Sequence, residues 1–274
     1  MERLQNPFAG MPPLPDQRIA DPSAHRGVAL QGVSKRFGPK VVLDECDLLI
    51  HKGETLVIIG RSGEGKSVLL KHIVRLLDPD QGHIWIEGQE VTSLGRKPLM
   101  ELRKKFGFLF QGAALFDSMK ICQNVGLMLE EHTDWTEDRI RSRACECLAQ
   151  VGLEAAEDKL PSELSGGMKK RAGLARAIVM NPQYILYDEP TTGLDPISSD
   201  AINDLILKLQ HELGVTSIVV THDMQSAFKI ADRIAMLSRG KVVYTGTVEE
   251  VQQTDHPMVR QFIEGSARGP LGAF

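Results

Sequence analysis

"TLVIIGRSGEGKS", residues 55–67, decides the fold: a short apolar run enters a loop with glycines at 60, 63 and 65, and a Lys-Ser pair closes the loop. The run has the length and β-branched content of a strand covered on both faces. "SVLLKHIVRLL", which follows, carries apolar residues at helical spacing. A strand, a G-x-x-x-x-G-K-S loop and a helix in that order build an anion cradle, because Gly60, Gly63 and Gly65 let successive backbone N–H groups and the helix start approach phosphate oxygens. Arg61, Ser62 and Glu64 lie between these glycines and Val68 follows them. Lys66 supplies a mobile positive charge for β- and γ-phosphates, and Ser67 a hydroxyl ligand for Mg²⁺. A chance glycine turn is the bland alternative, and the strand before and the helix after weigh against it.

Two further apolar runs, "YILYDE" (184–189) and "SIVVTHD" (217–223), also end in polar side chains and precede helix-compatible segments. Covered parallel strands read this way, with the working residues at their carboxyl ends, and an α/β core follows. Asp188 at a strand end suits Mg²⁺, and adjacent Glu189 suits the orientation or deprotonation of an attacking water. An Asp-Glu pair alone is more often a solvated turn; the glycine loop changes its weight. Upstream, "GVALQGVSKRF" and "VVLDECDLLI" alternate as antiparallel strands do, and "RIAMLSRGKVVYTG" reads as two strands about an Arg-Gly turn. The segment 97–165 looks mostly helical and reads as an inserted helical subdomain. Residues 1–26, rich in proline, read as a flexible leader, 27–246 as the principal domain, and 247–274 as a tail.

Composition narrows the function. Thirty-two basic against thirty-six acidic residues leave a net charge of -4, without the positive field that nucleic-acid binding requires. Cys46, Cys122, Cys145 and Cys147 are scattered, so reduced thiols are expected rather than a disulfide framework or a metal site. No run is apolar and long enough to span a bilayer, and the start lacks a basic, then apolar, secretory pattern. Membrane attachment is therefore expected only through a partner.

"LSGGMKKRAGLARAIV" (164–179) is a second helix start with anion-gripping character. The ordered set "GRSGEGKS", Gln111 in "FLFQG", "LSGGM", "YILYDEPTTGLD" and His222 in "VVTHD" resembles the nucleotide-binding subunits of ABC transporters, from about Val28 to Gly246. That resemblance implies a P-loop NTPase core with an antiparallel β subdomain and an inserted α-helical subdomain, binding ATP and Mg²⁺. It implies a head-to-tail homodimer in which Ser165, Gly166, Gly167 and Met168 of one subunit face the ATP on the other's glycine loop. Gln111 resembles the residue that senses Mg²⁺ and the γ-phosphate, His222 the γ-phosphate histidine, Asp195 an acidic residue that crosses the dimer seam, and Phe37 the ring that stacks on adenine. Met168 stands where many members have glutamine. Met168, Ala172, Ala175 and Val179 form an apolar stripe best read as core; Lys169, Lys170 and Arg171 either favour nucleotide electrostatically or, the preferred reading, form a basic solvated face.

Longer strings, "LPSELSGGMKKRAGLARA", "LFQGAALFDSM", "EEHT" and "VRQFIEGSARGP", are similar to the MlaF and Mkl group of lipid-trafficking ATPases. The group implies an integral-membrane MlaE-like permease, an MCE-domain lipid-binding protein, a small STAS-type regulatory subunit, and a place on the cytoplasmic face of the bacterial inner membrane. Leu115, Phe116 and Met119 are candidates either for a groove that receives a permease helix or for subdomain core. Val259, Phe262 and Ile263 anchor the tail, across a dimer or on their own subunit. The alternatives are an importer ATPase for a polar solute and a soluble ABC-type ATPase acting on nucleic acid or the ribosome; acidic balance and a single cassette weigh against the latter.

Overall fold

The structure, a computed structural model, describes Pro12 and residues 21–272. Apart from Pro12 and 21–26, the leader read over 1–26 lies outside the described residues. Strand β1 (Val28–Phe37) pairs antiparallel with β2 (Lys40–Ile50), Val28 opposite Ile50. After β3 (Thr55–Ile59) and α1 (Lys66–Ile73), β4 (Gln81–Ile86) and β5 (Gln89–Glu90) return to that sheet, whose order is β2-β1-β4-β5. There follow α2 (Arg96–Arg103), β6 (Phe106–Leu109), α3 (Ile121–His132), α4 (Glu137–Gln150), α5 (Gly166–Ile178), β7 (Tyr184–Asp188), α6 (Pro196–Leu213), β8 (Thr216–Thr221) and α7 (Met224–Ile230). The hairpin β9 (Arg233–Ser238) and β10 (Lys241–Thr247) precedes α8 (Val248–Gln253) and α9 (Pro257–Glu264).

The second sheet runs β10-β9-β3-β8-β7-β6, with β9, β3, β8, β7 and β6 mutually parallel and β10 antiparallel at one edge. Arg239 (φ 51°) and Gly240 (φ 79°) make the β9–β10 turn, both left-handed as the twist of a two-residue hairpin demands. Side chains alternate across the parallel strands. Val57, Ile59, Ile185 and Tyr187 join the core beneath α5 and α6, whereas Leu56, Ile58, Tyr184 and Leu186 pack toward the first sheet and α1. Burial on both faces is why these runs read as continuously apolar rather than alternating.

The helical insertion begins later than its reading over 97–165 placed it. Within those residues β6 is a strand of the central sheet, Phe106 opposite Tyr184, and Leu99 and Leu102 of α2 pack into the core shared by the two sheets. The insertion proper is α3, α4 and their connections, and it packs on α5 through Val125, Leu129, Ala144 and Leu148 in the same core. "FGFL" is four residues long, and its pairing with a strand almost eighty residues onward fixes its place. The tail packs on its own subunit: Val251, Met258, Val259 and Leu271 are buried in the α5 and α6 core, with Phe262 and Ile263 against it. The four cysteines are free, and burial pushes the Cys46 thiol up to about 12 and Cys147 to about 11, where thiols are inert. Among the described residues no helix is long and apolar enough to cross a membrane.

Candidate active site

The loop between β3 and α1 takes its shape from its glycines. A Cβ on Gly60 would lie 2.3 Å from the Leu237 carbonyl oxygen, and one on Gly65, at φ 100°, would meet the Val42 carbonyl at 2.9 Å. Lys66 opens α1 with a buried side chain whose Nζ donates to the carbonyls of Gly60 at 2.7 Å and Arg61 at 3.1 Å. Burial pushes its pKa down, and Glu189, with Oε1 at 3.6 Å, opposes the shift. Ser67 Oγ donates to Asp188 Oδ1 at 2.6 Å. A hydroxyl and a carboxylate in contact at the mouth of a phosphate loop are hard oxygen donors of the kind Mg²⁺ takes beside nucleotide phosphates, so the residues present fit that ion.

A cavity of about 440 Å³ opens onto the loop, lined by Phe37, Lys40, Val42, Ser62, Gly63, Gly65, Lys66, Ser67, Val68, Gln111 and Glu189. Four stretches of chain, 37–42, 62–68, Gln111 and Glu189, converge there. Phe37, half-exposed at the end of β1, offers a ring face at the rim. Lys40 and Val42, at the start of β2, went unremarked in the sequence although the β1–β2 hairpin sets them beside Phe37.

Glu189 is buried at the end of β7 in left-handed backbone, φ 50°, which costs a non-glycine residue energy and recurs where geometry serves chemistry. His222 Nδ1 lies 2.8 Å from Glu189 Oε2, so the two strand-end motifs meet as one acid–imidazole pair. The sequence reading of Lys170 as solvated is corrected. Its side chain is buried, and Nζ donates to the main-chain oxygens of Gln111 and, at 3.0 Å, of Glu189. One lysine within a basic triplet carries no local sign of burial; the covering loops come from residues 59 and 19 positions away. Arg176, two turns on, was likewise missed and donates at 2.6 Å to the carbonyls of both Ala113 and Ala114.

Other expected site residues lie off the cavity. Ser165 caps α5, its Oγ accepting from Met168 N at 3.3 Å, and Ser165 and Gly166 are exposed. Gly167 and Met168 continue that helix start, Met168 resting on the core. Asp195 caps α6 by accepting from the N–H groups of Ile197 and Ser198 at 3.0 Å, and the Ser198 side chain holds its carboxyl below the usual range. Arg61 reaches to the Leu271 carbonyl at 2.6 Å, and Glu64 accepts from Arg239 N. A separate apolar groove of about 430 Å³ is lined by residues including Phe108, Phe110, Phe116, Met128, Arg176 and Met180. Phe116 is half-exposed there, so it is not subdomain core.

Residues 43–192 match the family model described as ABC transporter. The chain is 41% identical over 244 residues, 89% of its length and 92% of the other's, to the intermembrane phospholipid transport system ATP-binding protein MlaF of Haemophilus influenzae. It is 43% identical over 245 residues, 89% of its length and 68% of the other's, to the probable ribonucleotide transport ATP-binding protein mkl of Mycobacterium tuberculosis. Among solved structures it is similar to the ATP-binding cassette MJ0796, a dimer in a post-hydrolysis state bound to ADP and Pi, with a TM-score of 0.74 and 34% identity over 81% of this chain and 98% of that one. It also resembles cbiO1 of Clostridium perfringens, part of the ABC transporter complex cbiONQ, at TM-score 0.76 and 31% identity over 85% and 92% of the two chains.

Proposed function

The chain belongs to the ABC transporter family, and from that premise we propose that it is the ATP-hydrolysing subunit of a transporter that moves phospholipid between membranes. One observation carries the reading: Lys66, Ser67, Asp188, Glu189 and His222 are joined by direct contacts at one phosphate-binding loop, in a chain that spans most of an MlaF relative. ATP lies with its base at Phe37 and its phosphates along residues 60–67, where N–H groups and Lys66 balance their charge. Ser67 and Asp188, with Gln111, would hold Mg²⁺, which neutralises charge on the phosphate oxygens. Glu189 orients a water and takes its proton as the water oxygen bonds to the γ-phosphorus; the bond to the bridging oxygen breaks and ADP leaves with that electron pair. His222 fixes the Glu189 carboxylate and reaches the γ-phosphate.

Two copies close head to tail, the exposed start of α5 in each completing the other's site. The groove at Phe116 receives a cytoplasmic helix of an MlaE-like permease, which places the protein on the cytoplasmic face of the inner membrane. An MCE-domain protein and a small STAS-type subunit complete the assembly. Purification of the full chain with its membrane partners, followed by mass spectrometry of bound small molecules, tests the cargo. Co-purified phospholipid is the expected result; a ribonucleotide or other polar solute, with no lipid, overturns it. Phe116→Asp is expected to melt as the wild type does yet lose the permease on co-purification, because the ring stands in solvent.

A further inference from the structure

Helix α5 is fastened at three points to the end of β6 and the loop that follows it. Lys170 Nζ holds the Gln111 carbonyl, Arg176 holds those of Ala113 and Ala114, and Gly173 between them packs so closely that a Cβ there would stand 2.7 Å from Leu109 Cδ1. The loop needs holding, since Ala113 and Ala114 both have positive φ, 59° and 49°. Lys170 differs from the other fasteners because it also grips the Glu189 carbonyl, a residue itself in strained backbone. A single buried ammonium thus joins the helix start at 165–168, the loop of Gln111 and the strand end of Glu189.

We propose that Lys170 is a positioning residue for hydrolysis, setting Glu189 and Gln111 in the site built by its own phosphate loop although it rides on the helix whose start completes the partner's site. The inference rests on the paired-site reading given above. Its consequence is mechanical coupling: when γ-phosphate in one site draws on the start of α5, the displacement reaches the hydrolytic residues of the other site through a side chain only five positions along the same helix. Burial lowers the Lys170 pKa, with Asp188 and Glu189 opposing.

Lys170→Met in the full chain keeps the stem and removes the donors. Turnover is expected to fall about 10²-fold, the scale of a small misplacement of catalytic groups, while the ATP dissociation constant stays within about two-fold. Should Lys170→Met fail to melt cooperatively, Lys170→Leu, which also removes the donors, takes its place under the same criteria. Mixed dimers then separate positioning from simple support of α5. Pairing a Lys66→Ala subunit with a Ser165→Arg subunit leaves one whole site, built from the glycine loop of the second and the α5 start of the first. Turnover by that pair above either parent alone establishes the paired-site reading; its absence sinks that reading and the proposal with it. Given an active pair, Lys170→Met placed in the Ser165→Arg subunit lowers turnover about 10²-fold, and in the Lys66→Ala subunit leaves it intact. Any other pattern in these mixed dimers, retained turnover in the single variant, or ATP affinity lost in parallel with turnover overturns the role of Lys170 while the paired-site reading stands.

Discussion

Glu189 is held at every polar atom: its N–H donates to Val220 O at 3.0 Å, its carbonyl accepts from Lys170, Oε1 faces Lys66 at 3.6 Å, and Oε2 meets His222 at 2.8 Å and the Thr192 hydroxyl at 3.2 Å. Such a residue can keep a left-handed backbone because its surroundings over-determine it. In the proposed mechanism the carboxylate itself does the proton chemistry, so Glu189→Gln, nearly isosteric, is expected to bind ATP as the wild type does. Its turnover should drop by about 10²- to 10⁴-fold, the usual share of a general base. Fluorescent-ATP titration beside phosphate release measures both, and phosphate release near the wild-type rate would remove Glu189 from the mechanism. The sequence disclosed Glu189 because its type and strand-end position are local. It concealed the contacts that fix it, which come from residues 19 and 33 positions away.

Helix α5 and strand β6 show why some elements were legible and others not. α5 announces itself through a serine cap, two glycines and an apolar stripe at helical spacing, all within sixteen residues. β6 has no such signal, and a glycine in mid-strand argues against it locally. Tertiary packing supplies the reason for that glycine: a Cβ on Gly107 would fall 2.2 Å from the Ala177 carbonyl oxygen of α5. Backbone cannot give way as a side chain does. Gly107→Ala is therefore expected to destabilise the protein by about 1–3 kcal/mol, as overpacking does, and to shift the strand that leads into Gln111. Gly173→Ala meets the end of the Leu109 side chain at 2.7 Å and, less tightly, Ala113 Cβ at 3.3 Å, and is expected to cost less. Urea unfolding midpoints for the two variants check the order, and a smaller loss for Gly107→Ala than for Gly173→Ala would contradict the argument.

Across the whole molecule, the site is continuous from the phosphate loop to the exposed start of α5. Ser67 touches Asp188, Glu189 touches Thr192, and the same loop runs on to Leu194, which a Cβ on Gly166 would approach at 3.5 Å. Yet the cavity is lined by none of residues 165–168, which present a capped helix start outward, and Ile197 beside Asp195 is 83% exposed. An anion-binding helix end and a large apolar side chain in solvent, next to a site they do not line, are surfaces suited to a second copy. In the proposed pair the γ-phosphate bridging the two copies is the contact that hydrolysis removes, so a hydrolysis-dead chain with ATP should accumulate as the closed pair. In light scattering, Glu189→Gln with ATP is expected at about twice the 30.2 kDa chain mass, and with ADP at the single mass. Adding Ser165→Arg places a bulky cation at the helix start and is expected to return the ATP-bound form to the single mass, while ATP affinity is kept because the glycine loop is untouched. If the double variant pairs as well as Glu189→Gln alone, the α5 start is not at the seam, and the anion-gripping character of 164–179 needs another explanation.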